Sequence, residues 1–166
     1  MNLHGKVHKF GNDVNTDYII SGRHKFKTLD MKELAKHVME DLDPQFYSKL
    51  NKGDFIVAGS NFGCGSSREQ APLAIINADI SAVIAKSFAR IFYRNCINTG
   101  LPLIECDTDL INPEDELEID LGAGVLHNLT QGIDITITPL PPVMLKILND
   151  GGLVEHFKKY GGFNFD

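Results

Sequence analysis

The stretch "DFIVAGSNFGCGSSREQAPLAIINADISAVIAKS", Asp54–Ser87, opens on one short apolar run and closes on another. Runs of this length, rich in Val and Ile, read as buried strands. Between them lie a polar loop carrying Gly59, Gly63 and Gly65 and an apolar-periodic segment read as a helix over Ser66–Asp79. Ser66 or Ser67 is placed to cap that helix, and Glu69, three residues after Ser66, fits a capping box. Pro72 lies inside the pattern, so the helix starts near it or bends there. Further on, "FARIFYRNCINTG" reads as a helix closed by Gly100, and "LPLIEC" as another strand. Strand–loop–helix–strand–helix–strand predicts an α/β fold with parallel strands joined by right-handed crossovers.

Towards the N-terminus, "GKVHKF" alternates as a strand does, and Gly11–Thr28 reads as a long polar loop. Loops that long inside a compact domain are usually functional or mobile. "LDMKELAKHVMEDL" puts Leu29, Leu34, His37, Val38 and Leu42 near helical spacing, and "DPQFYSKL" suits a further helical turn. After Asp107, "DELEIDLGAGVLHNLTQGIDITITPL" reads as two or three strands joined by glycine turns. "PPVMLKILNDGGLVEHFKKYGG" is helical, with a break at Gly151–Gly152. No repeat and no linker interrupts residues 1–166, which are read as a single domain.

Composition narrows the function. Of 166 residues, 43% are hydrophobic, as in an ordinary globular protein, and the net charge is −6. A nucleic-acid partner would need a concentrated basic face, which this balance disfavours. The first residues, "MNLHGKVHKF", lack the apolar core of a secretion signal, and no run approaches the roughly 20 apolar residues that span a bilayer. The "NLT" at Asn128 therefore reads as a chance sequon. Three cysteines, Cys64, Cys96 and Cys106, an odd number without a secretion signal, point to a reducing, cytoplasmic compartment. They are separated by 31 and 9 residues with no C-x-x-C pair, and no H-E-x-x-H occurs, so no metal site is expected on this chain.

The chemistry concentrates in Gly59–Pro72. A glycine-rich loop leading into a helix presents free N–H groups and lets an anion approach the backbone. Ser66 and Ser67 add hydroxyl donors, and Arg68 adds a planar cation suited to carboxylate. A dinucleotide reading uses Gly59, Gly63 and Gly65 as a phosphate loop. It lacks the acidic residue at the end of the next strand, since Asp79 precedes that strand. The Walker pattern fails because no Lys follows the glycines. Two further readings stay open: a tight turn whose serines merely cap, and an interaction domain without chemistry.

"GSNFGCGSSREQAP" followed by "AVIAKSFARIFYRNCINTGLPLI" resembles the small subunits of the aconitase superfamily, in particular those of 3-isopropylmalate dehydratase and its homoaconitase-type relatives. The likeness runs from "GKVHKFGNDVNTDYII" to "GGLVEHFKK". It implies the swivelling β/β/α domain of aconitase carried as a separate chain, with mixed sheets and flanking helices. It also implies a hydro-lyase that removes water from a hydroxy acid and adds it back, active only with a large subunit. The [4Fe–4S] cluster would sit on that large subunit, with no cofactor on this chain. By the motif, Ser66 would be the catalytic base, Ser67 and Arg68 would hold substrate carboxylate, and Gly65 would support the site. Asp17, in "NTDYII", matches an aspartate that pairs with a histidine of the large part. In "SGRHKFK", Arg23, Lys25 and Lys27 would be the cations reaching the variable part of the substrate, with Arg23 and Lys27 the candidate clamps.

The chain departs from the isopropylmalate pattern in "HKFK", where an apolar run is common, and in Gln70, where His is common. The resemblance therefore implies isopropylmalate isomerisation in leucine biosynthesis, with homoaconitate or 2,3-dimethylmalate chemistry as alternatives. From another class, a nucleotide-binding module using Gly59–Gly65 remains the rival.

Overall fold

A computed structural model of the protein describes residues 1–25 and 27–164, the Lys25 side chain excepted. In chain order the elements are β1 (Asn2–Lys9), α1 (Thr16–Ile19), α2 (Gly22–Lys25), α3 (Met31–Ala35), α4 (Phe46–Lys49), β2 (Phe55–Val57), α5 (Gln70–Asn77), β3 (Ala82–Ala85) and α6 (Arg90–Thr99). They are followed by β4 (Leu103–Glu105), β5 (Glu116–Asp120), β6 (Val125–Asn128), β7 (Ile133–Thr136), α7 (Pro142–Asn149) and α8 (Leu153–Tyr160). The strands form one mixed seven-stranded sheet in the order β4-β3-β2-β1-β5-β6-β7.

β1 joins the two halves of this sheet. Its last residues, Val7–Lys9, pair in parallel with Phe55–Val57, and its first, Asn2–Lys6, pair antiparallel with β5. On the parallel side, β2 and β3 are buried on both faces, which is why they read as unbroken apolar runs. Ile56, Val83 and Ala85 point into a core shared with Ile19, Ile20, Leu34, Ile75 and Phe92. Phe55, Val57, Ala82 and Ile84 point into a second core closed by Leu117, Ile119, Leu126 and Ile135. On the antiparallel side β5 alternates, with Leu117 and Ile119 inward and Glu116, Glu118 and Asp120 less buried, the pattern of a half-solvated sheet.

Three local expectations are corrected. No serine caps α5: the helix begins at Gln70 behind Glu69, and no side chain bonds its first turn. Pro72 sits in that first turn, where its missing N–H costs nothing. The helix foreseen over Leu29–Leu42 stops at Ala35, because Met39 takes a left-handed φ of 58° and donates its N–H to the Ile19 carbonyl. A tertiary bond there outweighs helical spacing, leaving Leu29 96% exposed while Leu34 and Val38 are buried. The Gly11–Thr28 segment is not irregular throughout: Asn15 caps α1 by accepting from the Asp17 N–H at 2.6 Å, and α2 follows.

The loop after β2 depends on Gly63. Its φ of 82° is left-handed, and a Cβ there would run into the Phe92 ring. Gly63→Ala should destabilise the fold by roughly 1–3 kcal/mol, read as a lower urea midpoint at unchanged m. Gly11→Ala, with nothing within 4 Å of its Cβ position, should stay within about 0.5 kcal/mol of the parent. Equal midpoints for the two variants would refute this account of Gly63.

Candidate active site

The turns that follow β1, β2 and β3 lie together at the carboxyl ends of the parallel strands, where open α/β sheets bind their ligands. Backbone bonds stitch them side by side. The Gly59 N–H donates to the Gly11 carbonyl at 3.0 Å, that of Gly63 to Val14 at 2.8 Å, and that of Thr16 to Cys64 at 2.8 Å. On the other flank, the Phe62 N–H donates to Ser87 at 3.0 Å, and that of Ala89 to Phe62 at 2.9 Å. Phe62 is buried and meets the Phe92 ring edge-on at 5.4 Å between centroids.

These turns surround an open pocket of about 330 Å³, lined by Gly65, Ser66, Ser67 and Arg68 and, opposite, by Thr16, Arg90, Ile91 and Asn95 among others. Gly65 holds φ at 95°, which turns the chain so that the exposed Ser66 and Ser67 face the opening. The Thr16 hydroxyl fixes the loop by donating to the Ser66 carbonyl at 2.8 Å. Asn95 donates to the Ser67 hydroxyl at 3.3 Å, leaving that O–H able to donate elsewhere. The Ser66 hydroxyl has no protein partner among the described residues, and neither do the backbone N–H groups of Gly65, Ser66 and Ser67.

Arg68 is the anchored cation of the site. Its Nη1 donates to the Ile20 carbonyl at 3.0 Å and its Nη2 pairs with the Asp17 carboxylate. Its side chain is 16% exposed, that of Asp17 56%. An incoming carboxylate would compete with the more exposed Asp17 for this guanidinium. Asp17, expected to meet a histidine of a partner, faces Arg68 in this chain. Arg23 turns away from the pocket: its Nη2 lies 2.5 Å from Asp41 and 3.8 Å from Glu40. Lys27 sits exposed in the turn after α2, its N–H bonded to the His24 carbonyl. The Lys25 side chain, named with these cations, lies outside the described residues.

Reading the sequence found α6 but missed that its first turn borders the site. Ala89 precedes it and offers no side-chain cap. The N–H groups of Arg90, Ile91 and Phe92 have no acceptor among the described residues, as befits a helix start. The positive end of α6 therefore borders the pocket, where α5 alone had been expected to supply it. Arg90 adds a second guanidinium at the rim. The signal was present in "KSFARI", where Ala89 and Gly100 bracket a helix without a polar cap. The dinucleotide reading fares worse, since Asp79 lies in the turn before β3, at the opposite end of the strands from Gly59–Gly65.

Comparison with known proteins identifies the family. The Aconitase C-terminal domain family matches residues 12–108. The chain belongs to that family. It is 60% identical over 97% of its length to the 3-isopropylmalate dehydratase small subunit 2 of Archaeoglobus fulgidus, covering 98% of that protein. It is 54% identical over 95% of its length to the methanogen homoaconitase small subunit of Methanothermobacter thermautotrophicus, covering 91% of that one. The crystal structure of 3-isopropylmalate dehydratase from Methanocaldococcus jannaschii superposes with a TM-score of 0.92 at 49% identity, over 97% of this chain and 96% of that one.

An aconitase-family reaction raises the question of whether this chain's thiols could hold an iron–sulfur cluster. They do not fit one. Cys96 is fully buried in the α6 core, and among the described residues the cluster of metal-ligating types contains no cysteine. Burial, helped by the Asp13 carboxylate, pushes the Cys64 thiol above its usual range. Burial and then Asp107 push Cys106 up to about 11, and burial raises Cys96 further still. At pH 8 each is therefore more protonated than a free thiol, and the thiolate is the reactive form. Alkylation of the native chain at pH 8 should be slower at all three than at a cysteine in a short peptide, and should speed up as pH rises. Peptide-like labelling of Cys64 in the folded chain would overturn this.

Proposed function

We propose that this chain is the small subunit of a heteromeric hydro-lyase that interconverts 2-isopropylmalate and 3-isopropylmalate by dehydration and rehydration, as in leucine biosynthesis. The observation that carries the reading is the pocket itself. Ser66, Ser67, Arg68 and the uncapped start of α6 line one open pocket, which a larger subunit could cover. The whole of 1–166 would swing as one domain, in the reducing cytoplasm, and would be inactive alone. A [4Fe–4S] cluster on the large subunit would supply the Lewis acid at the substrate hydroxyl.

This chain's part is carboxylate binding and proton transfer. Arg68 and the Ser67 hydroxyl bind a substrate carboxylate, with the free N–H groups of Gly65–Ser67 completing the cradle. Ser66 Oγ takes the proton beside that carboxylate. A hydroxyl is a weak base, and no described side chain bonds Ser66 to activate it. Its alkoxide must therefore be favoured by oriented N–H donors, by the positive end of α6 and by Arg68. Closure against the large subunit removes water and strengthens each of these interactions.

A tricarboxylate such as homoaconitate is the second reading, favoured by the exposed Lys27 and by the homoaconitase relative. Reconstitution with a matching large subunit, without oxygen, separates the two by following the unsaturated intermediate. Isopropylmalate turnover alone supports the first reading; homoaconitate preference replaces it with the second. In either case Ser66→Ala should lower kcat by roughly 100- to 10,000-fold while the subunits still associate. Parent-like turnover in that variant would remove Ser66 from the base role.

A further inference from the structure

A second constellation lies outside the pocket, where α2 meets the turn that follows α3. His24 Nε2 bonds one oxygen of the Glu40 carboxylate, and His37 Nδ1 bonds the other at 2.7 Å. The two imidazoles stack nearly parallel, 6° apart, with centroids at 3.7 Å. One ligand atom from each of His24, His37 and Glu40 lies within 4.8 Å of the others. All three side chains are partly buried and partly open to solvent.

We propose that His24, His37 and Glu40 form a binding site for a single transition-metal dication of the zinc type, which takes no part in the proton transfer of the pocket. Two imidazoles and one carboxylate are the ligand set that three-ligand zinc sites use, with water in the fourth place. Bonds of about 2.0–2.1 Å place neighbouring tetrahedral ligand atoms roughly 3.3 Å apart, so the ligand atoms must draw together while the two rings swing out of their parallel stack until both nitrogens point at one ion. His37 and Glu40 are three residues apart on one turn, closed by the Glu40 N–H to the His37 carbonyl at 3.3 Å. They therefore offer their ligands on the same side. His24 comes from the other segment, so the ion would bridge the two.

The proton balance is simple. In a neutral imidazole, the nitrogen that now donates to Glu40 would give up its hydrogen while the opposite ring nitrogen takes one. Two hydrogen bonds to one carboxylate give way to three coordinate bonds, one from each imidazole and one from the carboxylate. The nearby Arg23 guanidinium does not forbid a cation, because Asp41 holds it at 2.5 Å. The position has a consequence for the loop. Gly22, the first residue of α2, lies against Arg68, with a Cβ there 3.9 Å from Nη1. A bound ion would pin α2 beside the pocket's main cation.

The test uses the full chain, freed of metal by chelation, titrated separately with zinc chloride and cobalt chloride. One equivalent should bind. Cobalt should give visible bands of a four- or five-coordinate ion without the near-ultraviolet thiolate charge-transfer band that Cys64 or Cys106 would produce. His24→Asn, His37→Asn and Glu40→Gln should each weaken binding by about tenfold or more, with circular dichroism unchanged. No saturable binding, a thiolate band, or affinity indifferent to all three variants would overturn the site. None of these readouts involves turnover, so the outcome stands apart from the fate of Ser66.

Discussion

Everything in the pocket hangs on the parallel pairing of β1 with β2, and on its continuation past the ends of both strands. Hydrogen bonding does not stop where the strands do. The bonds from Phe10 to Val57, Gly59 to Gly11, Asp13 to Ser60, Gly63 to Val14 and Thr16 to Cys64 carry the ladder onward as an irregular ribbon. Two polar loops that would otherwise expose unpaired backbone thus satisfy one another. The cost of ordering them is shared with a core that Val14, Phe62 and Phe92 extend beneath. The loop bearing Ser66 is consequently held on a rigid base although its tip is exposed. Arg68 closes the ribbon by bonding back to Ile20, the end of the same loop it runs beside.

Much of this was legible from residues alone, because the local rules and the global fold agree there. Phe55–Val57 and Ala82–Ala85 are short, β-branched and buried on both faces, so length and composition both name them as strands. Gly100 ends α6 with a left-handed φ of 85°, the role its place after Thr99 predicted. The failures have one cause, a long-range bond outranking a local preference. Met39 breaks a helix to reach Ile19. The Asn15 side chain, silent in a polar run, caps α1. The serines that look like caps for α5 are held away from it, since the Ser66 carbonyl is bonded to Thr16, 50 residues earlier. The pairing of Arg68 with Asp17 was equally invisible, because Arg68 had been assigned to substrate and Asp17 to a histidine of the large part.

The electrostatics of the pocket follow from the same stitching. The chain carries a net charge of −6, yet Arg68, Arg90 and the start of α6 meet at one opening. A locally positive site on an acidic protein attracts a carboxylate while the remaining surface repels it, which favours productive encounters over scattered ones. The free N–H groups of Gly65–Ser67 matter more than their number implies, because their direction is fixed before any ligand arrives. Preorganised donors stabilise developing charge without reorganising at the moment of reaction. In the base role proposed for it, Ser66 would gain from this only if water leaves, and the pocket formed by the described residues is open. Its need for a partner is thus a statement about dielectric as much as about missing groups.

Choice of substrate turns on a few side chains, since relatives named for isopropylmalate and for homoaconitate resemble this chain almost equally, at 60% and 54% identity. A hydrophobic group and a carboxylate differ most in what they require of a neighbouring cation. Burying a carboxylate without a partner costs several kcal/mol, whereas an isopropyl group next to an unpaired lysine merely loses apolar contact. Arg23 cannot serve as that cation while α2 stays where it is, because its guanidinium is committed to Asp41 and Glu40. Releasing it would also disturb the carboxylate that holds His24 and His37. If this segment reaches substrate as proposed, whatever sets α2 in place, whether hydrogen bonds or an ion, would decide which charge it can offer.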